Sequence, residues 1–102
     1  MLFVLLGKDS PDARRLRALH LQAHLDWVLG VMDRVRVAGP IRDDSGEACA
    51  SLYVLEAEDE SEARAFIAQD PYYRSGVWQD VSLQPFIAAA GTWVGGASWL
   101  AR

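Results

Sequence analysis

PDARRLRALHLQAHLDWVLGVM, residues 11–32, decides the fold. Turned at about 100° per residue, this stretch gathers Gln22, Arg15, Asp33 and Asp26 on one narrow side of a helix, and the opposite direction runs through His24. Leu16, His20, Trp27, Val28 and Val31 share the arc of His24, and Leu21, Leu25 and Met32 widen it past half the circumference. A helix with so broad an apolar arc packs on a sheet and touches something further. Ser10-Pro11 reads as its N-cap and N1 proline, with Asp12 near the positive end of the helix dipole. An imidazole in the middle of the apolar face needs a partner, because a buried polar group without a hydrogen bond costs about 1–3 kcal/mol.

Upstream, Leu2–Leu6 (LFVLL) is a continuous apolar run bounded by Gly7, which suits a central strand buried on both faces. Downstream, Arg34–Gly39 (RVRVAG) alternates as a strand with Val35 and Val37 on one face, and Gly39-Pro40 stops it. After the polar turn RDDSGE (42–47), Ala48–Ala57 is a second buried strand that completes a hairpin. Ala50, Leu52 and Val54 lie on one side of it; Cys49, Ser51, Tyr53 and Leu55 lie on the other. Asp59 and Glu62 form a capping-box pattern that starts a second helix with a core stripe of Ala63, Phe66 and Ile67, ending at Asp70-Pro71. Val77–Phe86 alternates as the last strand, with Val77, Val81 and Leu83 one way and Trp78, Asp80, Ser82, Gln84 and Phe86 the other; Pro85 suits an edge.

The order βαββαβ predicts an α+β, ferredoxin-like fold: a four-stranded antiparallel sheet with two helices on one face. The bare face mixes large apolar residues with polar ones, more than the few hundred Å² a monomer tolerates. Sheet-to-sheet packing into a dimeric α+β barrel is therefore expected. Residues 1–87 form this domain. Residues 88–102 (AAAGTWVGGASWLAR) form a tail, read either as a frayed terminus or as a segment that docks on the partner subunit, since a packed Trp buries on the order of 200 Å² and the tail holds Trp93 and Trp99.

At 102 residues, 51% hydrophobic and 24% charged, the chain is an ordinary soluble domain. Its formal charge of −4 argues against a nucleic-acid partner, which would require clustered Lys and Arg. Arg14, Arg15 and Arg17, the basic cluster, read as a solvated first helical turn. Cys49 is the sole cysteine, so no internal disulfide forms and a reducing compartment is expected. Met1–Leu6 is too short for a signal h-region and no run approaches 18 apolar residues, so a cytoplasmic protein with no membrane partner is expected.

Asp70 reads as the C-terminal residue of the second helix, where the macrodipole disfavours a negative charge by about 0.3–1 kcal/mol. Two helices side by side on one sheet let that carboxylate approach His24, fixing the imidazole tautomer and raising its basicity. The other reading is a core histidine satisfied by a backbone carbonyl, with Asp70 as a turn residue.

Five short motifs occur in order: His24-Leu25 in the first helix, Ala38-Gly39-Pro40 after the second strand, Asp70-Pro71-Tyr72 after the second helix, then Gly76-Val77 and Pro85-Phe86. On this ordered set the chain resembles the YciI-like (YCII-related) family over about residues 1–87. The resemblance implies a dimeric ferredoxin-like fold and an active site centred on a His and an Asp, here His24 and Asp70. The characterised activity it brings is lyase-like removal of chloride from a chlorinated hydroquinone. The tail beyond Ala88 is longer than the family pattern.

On this reading His24 is a general base oriented by Asp70, and the reaction class is proton abstraction from an activated carbon or a phenol. Tyr72, Tyr73, Trp27 and Trp78 are candidates for an aromatic wall around a cyclic substrate, or else core; Arg42 is a candidate for holding an anionic group, or else a surface turn residue. His20 and His24 have the i, i+4 spacing of some zinc sites but lack the intervening Glu and a third ligand, so no metal or other cofactor is expected. No serine sits on a nucleophile turn, and Cys49 reads as a packing residue. The expectation is a small homodimeric or higher-oligomeric enzyme doing His/Asp acid-base chemistry on a small cyclic or aromatic molecule. A non-catalytic ligand-binding or regulatory module and a pure dimerisation domain are the alternatives.

Overall fold

Alternation along β1 (Leu2–Asp9) sets the two faces of the sheet. Phe3 and Leu5 are buried toward the helices, while Leu2, Val4 and Leu6 face the other way. The computed structural model describes residues 1–100. Its sheet has the order β2-β3-β1-β4, antiparallel throughout, with β2 at Val35–Arg42, β3 at Ala48–Glu56 and β4 at Trp78–Phe86. β1 is central, as expected. Helices α1 (Ala13–Gly30) and α2 (Glu60–Ile67) cover one face, over a core of Phe3, Leu5, Tyr53, Leu55, Phe66, Ile67 and Leu83. This is the predicted α+β, ferredoxin-like architecture.

Four expectations are corrected. β1 does not end at Gly7 but continues to Asp9, and Gly7 is where the Trp78 indole lies against the backbone. A Cβ on Gly7 would sit 2.6 Å from that ring. Gly7→Ala is therefore expected to destabilise the fold by about 1–3 kcal/mol through overpacking, measured as a lowered urea midpoint; an unchanged midpoint would mean that the indole is free to move aside.

Trp78 itself was expected on the face opposite Val81 and Leu83. The register shifts where Asp9 pairs with Trp78 but Lys8 pairs with Asp80. The extra residue turns Trp78 inward, the normal consequence of a bulge, and the side chain is buried. In β2, Gly39-Pro40 does not stop the strand, which runs on to Arg42 with Pro40 opposite Ser51. β2 is an edge strand, where proline is tolerated; Pro85 lies on the other edge strand, β4.

The first helix starts at Ala13 rather than Pro11. Ser10 does not cap it: its hydroxyl donates to Gly76 O at 2.9 Å, and Pro11 and Asp12 form a turn closed by Ala13 N–H donating to Ser10 O. Its inward arc is as predicted, with Leu16, His20, His24, Trp27, Val28 and Val31 half-buried, while Leu21, Leu25 and Met32 remain exposed. Asp59 caps α2 by accepting from Glu62 N–H at 2.8 Å; Glu62 answers by accepting from Glu58 N–H, one residue ahead of the usual capping-box partner.

Beyond β4 the chain makes a small hairpin, β5 (Ala90–Gly91) with β6 (Gly96–Ala97), so residues 88–100 are not a structureless end. Trp93 stands 84% exposed on it. Residues 101–102 of the tail lie outside the described residues. Among the described residues no helix is long and apolar enough to cross a membrane.

Candidate active site

α2 stops at Ile67, and Asp70 begins a separate short helix, α3 (Pro71–Ser75). Asp70 is its N-cap, with Pro71 in the first turn, so the carboxylate faces the end of a helix that favours an anion. This reverses the expected sign: the helix end supports the charge instead of opposing it.

The carboxylate is fully buried and accepts three hydrogen bonds. Oδ1 accepts from Tyr72 N–H at 2.9 Å and from His24 Nδ1–H at 2.7 Å; Oδ2 accepts from Tyr53 O–H at 2.6 Å. With a carboxylate as acceptor, Nδ1 carries the proton, and the Nε2 lone pair of neutral His24 is left for another molecule. Tyr72 lies flat on the imidazole, ring centroids 3.8 Å apart and planes within 1°. Its own hydroxyl donates to Arg17 O at 3.1 Å. Trp78 meets Tyr53 and Tyr72 edge-on, each at 6.3 Å. The histidine is thus clamped by a hydrogen bond at one edge and a ring on one face.

Burial raises Tyr53 far above the ordinary phenol range, and the Asp70 charge and hydrogen bond add to it, so Tyr53 stays a neutral donor. Burial also raises Tyr72; Arg17 opposes this, and Asp70 and Asp9 reinforce it. The His24 side chain is 16% exposed and lines a cleft of about 220 Å³ together with Arg17, Leu25, Pro40, Ser51 and Tyr53. Arg17 is not the solvated first-turn residue expected. It makes a two-pronged pair with Asp9 at 2.8 and 2.9 Å, and both side chains are largely buried. Burial works against its charge, but the Asp9 hydrogen bond and charge outweigh that and raise Arg17 above its ordinary value.

The YCII-related domain family matches this chain over residues 1–87. The chain belongs to that family. Among YCII-related relatives, Protein YciI of Escherichia coli O6:H1 is 33% identical over 94 residues, covering 84% of this chain and 96% of the relative. An uncharacterized protein of Haemophilus influenzae is 30% identical over the same spans. Among solved structures, 5-chloro-2-hydroxyhydroquinone dehydrochlorinase (TftG) of Burkholderia phenoliruptrix AC1100, in complex with 2,5-dihydroxybenzoquinone, superposes with a TM-score of 0.77 at 25% identity, covering 90% of this chain and 97% of that one. Rv0793 of Mycobacterium tuberculosis shares the fold, with a TM-score of 0.52 at 17% identity over 88% and 97% of the two chains.

Of the residues singled out in this YCII-related sequence, His24, Asp70 and Tyr72 come together. Tyr72 supports the imidazole from behind and is itself buried, not a wall of the cleft. Trp27 packs on Phe66 at 5.1 Å between the two helices, Trp78 sits over Gly7, and Arg42 is exposed at the far end of β2; none of the three lines the cleft. Tyr73 is half exposed and lies outside it as well. Tyr53, Ser51 and Arg17 were not singled out. The signal was present in β3, whose core-facing set Ser51, Tyr53 and Leu55 contains two polar tips that must find partners.

Proposed function

We propose that this protein is a small-molecule enzyme in which His24 moves a proton and Asp70 holds it to that task. The hydrogen bond from His24 Nδ1–H to fully buried Asp70 carries the proposal. It presents Nε2 as the free basic atom of a ring on the cleft, and it stabilises the imidazolium formed when that atom accepts a proton. Tyr53 and the α3 amide hold the Asp70 carboxyl group in place beside Nδ1. The reaction class is lyase- or isomerase-like abstraction of a proton from a phenol or an activated carbon of a small cyclic or aromatic compound. The dehydrochlorinase at 25% identity, seen with a dihydroxybenzoquinone, supports that substrate class. The test is a turnover screen of phenolic and lactone-like compounds against wild type and His24 variants, with affinity measured in parallel.

A non-catalytic ligand-binding or regulatory module is the second reading, in which the same cleft of about 220 Å³ holds a ligand without turning it over. Binding without turnover by wild type is the result that reading requires.

The working unit we propose is a homodimer formed by the bare sheet faces. Val4 lies across from Val54 and Leu6 across from Leu52 on that face, with Phe86 beside Leu2, and Leu6 and Phe86 are substantially exposed. A groove of about 640 Å³ is lined by this face and by tail residues such as Ala88, Thr92 and Trp93, which supports the reading that the tail docks on the partner subunit. Light scattering is expected to give twice the 11.3 kDa of the chain, and Leu6→Glu is expected to give the monomer; a monomeric wild type would remove this part of the proposal. A reducing, cytoplasmic setting fits the free thiol of Cys49.

A further inference from the structure

Ser51 is buried on β3, in the same cleft as His24, and its hydroxyl oxygen accepts a hydrogen bond from Arg17 Nη2 at 2.9 Å. Arg17 is fixed in turn by donating from Nε and Nη2 to the Asp9 carboxylate and from Nη2 to Ala50 O at 3.2 Å. The guanidinium therefore has its own counter-ion and is a poor receptor for a second anion. Its effect falls on Ser51. A donor seated on one lone pair forces the serine O–H to point elsewhere, and that O–H finds no acceptor among the described residues. A buried hydroxyl with an unused donor needs a partner.

Resting on the reading of His24 as a base, we infer that Ser51 Oγ–H is the donor that receives an oxygen of the ligand, a carbonyl or phenolate, while Nε2 of His24 faces a hydroxyl of the same molecule. The Asp9–Arg17 pair is a positioning device behind it. Arg17 polarises the hydroxyl, which strengthens a hydrogen bond to an oxygen that gains negative charge. Leu25 and Pro40 add apolar surface to the lining of the same cleft. The ligand class that fits is a single planar ring carrying one acidic O–H and one carbonyl or oxyanion: a hydroxyquinone or an enolised cyclic ketone. No covalent step is assigned to Ser51.

The probe is 2,5-dihydroxybenzoquinone, titrated by its visible absorption into wild type, Ser51→Ala, Ser51→Thr and His24→Asn. Wild type is expected to bind it and to shift its absorption band, because a hydrogen bond to the oxyanion localises charge. Ser51→Ala is expected to bind about 10-fold more weakly and to leave the band near its free position. Ser51→Thr, which keeps the hydroxyl, is expected to restore both, and His24→Asn is expected to keep the band shift. Equal affinity and band position in Ser51→Ala overturn the inference, as does failure of threonine to rescue or an absence of binding by wild type. The readout does not involve turnover, so a His24→Asn variant that retains full activity would remove the base reading while leaving the Ser51 result standing.

Discussion

Asp70→Ala is expected to lower the stability of the fold by about 3–5 kcal/mol, because it removes the shared acceptor of three hydrogen bonds. The carboxylate is fully buried and accepts from Tyr53 O–H, Tyr72 N–H and His24 Nδ1–H. Truncation leaves three donors without an acceptor in a region closed to water, each worth about 1–3 kcal/mol when orphaned. These losses do not add fully, because the rings relax and His24 is part-exposed. Against a total of about 5–15 kcal/mol for a domain of this size, the remainder is marginal. Urea unfolding measures it. Asp70→Asn is expected to cost less, since one oxygen survives, although its amide must turn an N–H toward one of the three donors. A shift within the roughly 0.5 kcal/mol of surface substitutions would mean that the three hydrogen bonds contribute nothing net.

His24→Asn is expected to reduce turnover by about 10²–10⁴-fold, the usual contribution of a general acid-base group. Asparagine is preferred to alanine as the main variant because its amide can still donate to Asp70, so the carboxylate keeps a partner while the basic Nε2 is gone. Affinity for a compound that wild type turns over is expected to change only a few-fold. A fall in affinity that accounts for all of the lost kcat/KM would assign His24 to binding. Retained turnover would exclude it as the base.

The order of elements was legible because alternating runs and a capping box are local signals. So was the inward direction of His24, since four polar or charged residues, Arg15, Gln22, Asp26 and Asp33, gather on one side of the helix and define the other. What was not legible came from insertions and from tertiary competition. Nothing in WQDVSL announces that one residue bulges between Trp78 and Asp80, yet that residue inverts the face on which the indole lies. The polar-residue-then-proline signature occurs at both Ser10-Pro11 and Asp70-Pro71, and only the second caps a helix. At the first, the Ser10 backbone and hydroxyl are taken by Val77 O and Gly76 O. Arg17 was read as solvated because its charge suggested water, but Asp9, at the end of a strand longer than its apolar run, supplies the counter-ion.

Pro40 and Pro85 have a consequence for crowded conditions. They occupy the two outer strands of the sheet, one on each side. A foreign strand arriving laterally meets a missing amide hydrogen at either margin, and proline is among the devices that stop sheets from zipping together into fibrils. Endless lateral growth from either margin is thereby opposed.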